Sequence, residues 1–156
     1  MDVTGRIEDI TARIKQKVDT GDAHVAGVIA GFLPCVATSA AEAAAKFGLS
    51  DSPECYDEID EIEAVMVLTR AFNKGLAYSV EIMPLAEARN LAASFVAEFL
   101  NASARFFTNG DWGQPKFPRD GVTSTSWSDA TSATFDTGVI VISDHGTGCV
   151  WCMDED

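Results

Sequence analysis

The chain has 156 residues, 47% of them apolar and 22% charged, and 24 acids against 11 bases leave a net charge of −13. That balance excludes a globally disordered chain and fits one folded domain over residues 1–156. The acidic excess argues against phosphate-backbone binding, which needs clustered Lys and Arg, and the most apolar stretch, broken by Gly27, Gly31 and Pro34, falls short of the about 20 residues of a bilayer span.

Met1-Asp2-Val3 has neither the positive n-region nor the apolar h-region of a secretory signal, so a cytoplasmic location is expected. The four cysteines (Cys35, Cys55, Cys149 and Cys152) are then expected to be reduced. Ile7, Ile10, Ile14 and Val18 fall at spacings of three and four and predict an amphipathic first helix, with Thr4 as N-cap and Gly21 as C-terminal stop. A second helix is expected from Ala23 to about Phe32, apolar nearly all round, hence buried, and ending before Pro34. His24 on that helix reads as a core histidine. Ser39-Ala40-Ala41-Glu42 is a capping box that opens a third helix, running to Phe47 and ending at Gly48. Residues 40–50 have the flavour of the first helix and turn of a helix-turn-helix, but the acids that follow would repel phosphate.

After the loop Ser50-Asp51-Ser52-Pro53, a long helix is expected from Glu54 or Tyr56 to Gly75, with Ile59, Ile62, Met66, Leu68 or Thr69, and Phe72 as its stripe. Pro84 suits the first position of another helix, whose buried side is traced by Leu85, Ala88, Leu91 or Ala92, Phe95, Phe99 and Phe106. Tyr78 to Met83 is either an extended loop before it or its early extension. Residues 108–134 are rich in Gly, Pro, Ser, Thr and Asp, with Trp112 and Trp127 embedded, and predict a long connection held down by aromatic anchors. Thr137 to Ile142 is β-branched and continuous, Ser143-Asp144-His145-Gly146 is turn chemistry, and Cys149 to Met153 returns as a second strand. The fold expected is α+β: four to five helices in residues 1–107 packed around the Ala23–Phe32 helix, a loop over 108–134, an antiparallel hairpin or small sheet over 135–153, and an exposed acidic tail, Asp154-Glu155-Asp156. A larger sheet follows if Tyr78–Met83 or part of Thr123–Phe135 is extended.

Few residues carry recognisable chemistry. Cys149-Val150-Trp151-Cys152 has C-x-x-C spacing, but on a strand the two sulfurs point to opposite faces, which favours buried thiols over a metal or redox pair. Phe135-Asp136-Thr137-Gly138 is similar to the Asp-Thr-Gly signature of the aspartic proteases, in which two aspartates share a proton to activate water. With one copy in the chain, that resemblance implies a dimer. Against it, that family is nearly all-β, and Val139 stands where it usually has Ser or Ala. Ser143, Asp144 and His145 are adjacent in a turn, and a triad needs groups converging from different elements.

What remains is charge. Glu54, Asp57, Glu58, Asp60, Glu61 and Glu63 crowd ten residues, more than a helix dipole at an N-terminus accounts for. The reading that follows is an acidic, non-enzymatic interaction protein, of bacterial or phage type, that binds and blocks a basic macromolecular surface, as an immunity protein or an inhibitor of a nucleic-acid-handling complex does. Those acids with Trp112 and Trp127 are its expected contacts. No catalytic residue, metal or cofactor is expected, and no direct contact with nucleic acid or membrane. Two alternatives stand beside it: a hydrolase or redox enzyme using Asp136 or Cys149 with Cys152, and a homo-oligomeric structural subunit, with homodimer contacts through the hairpin edge or the aromatic loop.

Overall fold

The computed structural model describes residues 2–19, 27–115 and 124–155. Among them are four α-helices and one five-stranded antiparallel sheet, in the chain order α1 (Val3–Val18), β1 (Gly27–Leu33), α2 (Ala40–Lys46), a 3-10 turn (Pro53–Cys55), β2 (Asp57–Ile59), α3 (Glu61–Asn73), α4 (Leu85–Ala97), β3 (Arg105–Thr108), β4 (Phe135–Ser143) and β5 (Gly146–Asp154). The sheet order is β1-β5-β4-β3-β2, every neighbour antiparallel. The fold is thus α+β, but the hairpin expected at the C-terminus is the middle of a larger sheet that also draws strands from residues 27–33, 57–59 and 105–108.

The sheet is covered on both faces, because alternate residues of β4 and β5 enter different cores. Val139, Val141, Val150 and Cys152 meet α1, α3 and α4 through Ile7, Ile14, Leu68, Phe72, Phe95 and Phe99. Ile140, Ile142, Cys149 and Trp151 meet a smaller cluster with Ala43, Ala44, Leu49, Cys55, Tyr56 and Phe107. This two-sided cover is why Thr137–Ile142 lacks a polar face. Gly138 stands where β5 presses closest: a Cβ there would lie 2.0 Å from the Val150 carbonyl oxygen and 2.7 Å from Trp151 Cα.

Local rules place the helices. Asp2, not Thr4, caps α1 by accepting from the Gly5 amide at 2.8 Å. Ile7, Ile10, Ile14 and Val18 are buried as the period requires. Ser39 caps α2 as expected, accepting from the Glu42 amide at 3.1 Å, while the Glu42 carboxylate turns back to the Thr38 amide and hydroxyl rather than closing the box on Ser39. Gly48 ends this helical segment at φ 81°, in the left-handed region. Pro84 is the N-cap of α4 rather than its first residue. Ala88, Leu91, Ala92, Phe95 and Phe99 are buried, Leu85 is exposed, and Phe106 belongs to β3. Tyr78–Met83 is loop, tied by an isolated Lys74–Glu81 bridge.

Three expectations are corrected. The apolar run expected as a buried helix from Ala23 is β1 over Gly27–Leu33, paired to β5 from Gly27↔Met153 to Leu33↔Thr147; Gly21, His24 and the rest of 20–26 lie outside the described residues. A short apolar run has no period that separates helix from strand, and the partner strand decides. The long helix expected from Glu54 is a 3-10 turn, a strand and a helix, so no recognition helix follows α2. Asp60 resets the chain by accepting from the Glu63 amide at 2.8 Å, so the acids before it lie off the helix. Its buried stripe is Ala64, Val67, Leu68, Ala71 and Phe72, while Ile62 is 68% exposed and Met66 37%. Finally, Asp154, expected to be exposed, is buried and accepts from the Ala77 amide at 3.0 Å, whereas Glu155 is exposed as expected and accepts from the Thr134 hydroxyl at 2.6 Å; Asp156 lies outside the described residues.

Candidate functional site

Five of the six acids of residues 54–63 lie at the β2 edge of the sheet. Glu58, Asp60, Glu61 and Glu63 line an open cleft with Ile59, Ala104, Arg105 and Phe106. Asp57 lines a neighbouring one with Asn109, Asp111, Gln114, Trp127 and Ser128. Glu54 sits exposed on the 3-10 turn and lines neither. Arg105 is the cation lining the first cleft, and it grips Glu58 with Nη2 at 2.7 Å and Nε at 3.3 Å. That fork holds the Glu58 carboxyl below the usual carboxylate range. Strand pairing supplies the geometry: Glu58 sits opposite Phe107 in register, which puts Arg105 within its reach.

Trp112 and Trp127 are placed by a different device. Their rings are 5.1 Å apart, Trp127 is 5.4 Å from Phe135, and the Arg70 guanidinium carbon lies 5.2 Å from the Trp112 ring centroid. Gly113 lets this loop lie flush on α3, since a Cβ would meet Val67 N at 2.8 Å and the Glu63 carbonyl oxygen at 3.1 Å. The structure therefore joins Trp127 to Asp57 in one cleft but sets Trp112 apart from the acids, beside Arg70.

Asp136 is fully buried, and its carboxylate is the centre of a polar network. Oδ1 accepts from Asn109 Nδ2 at 2.9 Å, Trp151 Nε1 at 3.0 Å and the Ala130 amide at 3.1 Å; Oδ2 accepts from the Thr131 amide at 3.2 Å and hydroxyl at 3.0 Å. Thr137 donates to Asn109 Oδ1 at 2.9 Å, and Thr108 to the Gly138 carbonyl at 2.7 Å. These donors occupy the lone-pair directions that water or substrate would use in a protease. The Asp-Thr-Gly segment instead staples loop 128–131 across the sheet. From sequence Asp136 also reads as a turn cap at a strand entry, and it does accept from the Ala130 and Thr131 amides; its bonds to Asn109 and Trp151 had no local signal.

Cys149 and Cys152 point to opposite faces and join different cores. Burial pushes the Cys152 thiol up to about 12 and raises Cys149 as well. Cys55 is also raised by burial, its Sγ 3.6 Å from the Ser128 and Asp129 carbonyl oxygens, whereas Cys35 is exposed. Among the described residues, no three His, Cys, Asp or Glu side chains converge as metal ligands, and no helix is long and apolar enough to cross a membrane. His145 and Ser143 form a tight turn in which Ser143 Oγ accepts from the His145 amide at 3.2 Å.

No protein-family model, curated protein or solved structure matches this chain.

Proposed function

We propose that this is an acidic, non-enzymatic interaction protein that docks on and blocks a basic macromolecular surface, in the manner of an immunity protein or an inhibitor of a nucleic-acid-handling complex. One observation carries the reading: Glu58, Asp60, Glu61 and Glu63 line one open cleft and Asp57 a second, both at the β2 edge of the sheet, with Arg105 as the cation among the described lining residues. An excess of charge of one sign on an exposed edge steers an oppositely charged partner and repels like-charged ones. Such acids add little to the stability of the chain that bears them, so a partner is the economical reason for their grouping. Trp127, at the rim of the Asp57 cleft, supplies an aromatic anchor of the kind that dominates binding energy at interfaces.

The test is kinetic. Against a purified basic partner, reversing Asp57, Glu58 and Glu61 to Lys is expected to slow association by about tenfold or more at low salt and to flatten its salt dependence. Circular dichroism of the variant stays that of the parent, because all three side chains are exposed. An unchanged association rate overturns the proposal.

A further inference from the structure

A second cleft, of about 490 Å³, has the opposite character. Its described lining contains no acid, in a chain with 24 of them: Arg70, Ser79, Gln114 and Thr125 are its polar walls, and Trp112, Trp127 and Phe135 its aromatic ones, beside Leu76. The volume lies within the roughly 300–1,000 Å³ typical of small-molecule sites. Three features of its chemistry are unspent.

The first is Arg70. Among the described residues it has no carboxylate partner; it donates to the Lys74 carbonyl at 2.8 Å, the Gly75 carbonyl at 3.4 Å and Ser79 Oγ at 3.4 Å. A guanidinium has about five N–H donors, so part of the fork is left over. The surroundings penalise its charge, since burial lowers its pKa with no counter-ion to offset it. The second is a pair of orphans: the indole N–H groups of Trp112 and Trp127 are buried and have no acceptor among the described residues. Buried donors without acceptors are rare enough to require a cause. The third is the backbone at Ser79, held at φ 57°, in a region that non-glycine residues seldom adopt, while its hydroxyl meets Arg70.

We infer that this cleft binds a small organic monocarboxylate, its carboxylate on Arg70 and its apolar body against Trp112, Trp127 and Phe135. Ser79, Gln114 and Thr125 on the lining can accept as well as donate, but the charged group, Arg70, only donates, so the ligand group it holds is an acceptor. One cation lines the cleft among the described residues, which matches a singly charged carboxylate better than a doubly charged phosphate. The aromatic wall, with rings 5.1 and 5.4 Å apart, calls for a flat or extended apolar body. The acids of residues 57–63 line other clefts, and although Trp127 is common to this cleft and the Asp57 one, Arg70 is not, so Arg70→Gln tests this site and leaves the acidic edge untouched.

The experiment is a titration of the ¹⁵N-labelled full chain followed through its indole N–H signals, three for the three tryptophans. The probes are benzoate, hexanoate, N-acetylphenylalanine and benzamide. Benzoate or hexanoate is expected to move the Trp112 and Trp127 signals and leave Trp151, which is bonded to Asp136, in place as a reporter of the fold. Benzamide, the neutral isostere, is expected to bind at least tenfold more weakly, as is benzoate to the Arg70→Gln variant. A response to N-acetylphenylalanine, which carries the carboxylate of a peptide end, widens the ligand class to chain termini; its silence while benzoate binds confines the site to free acids, and either result upholds the inference. No response to any carboxylate, or equal responses to benzoate and benzamide, overturns it. Should Arg70→Gln fail to fold, the comparison of benzoate with benzamide on the parent chain still decides.

Discussion

Asp136 shows how a residue's type and its role come apart. The sequence signature around it suggests hydrolysis, yet its carboxylate joins Asn109, Ala130, Thr131 and Trp151 in the interior. Truncating it leaves several buried donors without an acceptor, each worth about 1–3 kcal/mol. Asp136→Ala is therefore expected to lower unfolding free energy by about 3 kcal/mol or more, read from urea midpoints. A loss within about 0.5 kcal/mol contradicts the network. The thiols make a second residue-scale prediction. Exposed Cys35 reacts with a thiol reagent in the native state, while Cys55, Cys149 and Cys152 react only in denaturant. Rapid native labelling of Cys149 or Cys152 is the contrary result. The opposed faces of those two cysteines were legible from strand alternation alone. The saturation of Asp136 was not, because Asn109 and Ala130 reach it from elsewhere along the chain.

At the scale of elements, what the sequence revealed depended on whether a period was present. α1 and α4 carry their own stripes, and Ser39 and Gly48 bracket α2, so these are readable locally. β1 is not: Gly27–Leu33 is a continuous apolar run that becomes a strand because β5 lies beside it. β2 is three residues long and owes its place to pairing with β3 from some fifty residues away. Its acids disguised it as a helix N-terminus, when the true cap is Asp60. The phase of α3 can be checked by substitution. Ile62→Glu is expected to change stability by no more than about 0.5 kcal/mol, the usual range for surface sites, whereas Val67→Glu places a charge in the core and unfolds the chain. Thermal melts of the two variants separate this phase from the one that buries Ile62. Loss of the Asp60 cap in Asp60→Ala is expected to cost about 1 kcal/mol.

For the molecule as a whole, charge is segregated: an acidic β2 edge, and a cleft walled by aromatics around Arg70. The run of acids at 57–63 is plain in the sequence; what the sheet order adds is that it falls on an edge strand, β2. The interior sets the alkaline limit of stability. Cys149, Cys152 and Tyr56 are all raised by burial, so their neutral forms are favoured in the folded state and the unfolded chain deprotonates first. Their contribution is complete below the ordinary thiol value of 9.0 and is lost as the pH rises toward about 12. Urea midpoints that hold constant across that interval contradict the burial of these groups.

The role proposed for the acidic edge is to meet a basic partner. Its most direct test is capture from the native host's lysate with the parent chain and the Asp57→Lys, Glu58→Lys, Glu61→Lys variant side by side, at low and high salt, read by mass spectrometry. One basic protein or nucleic-acid-handling complex is expected to be enriched on the parent at low salt, and lost both at high salt and on the variant. The same proteins on both baits, or no basic partner at either salt, contradict it.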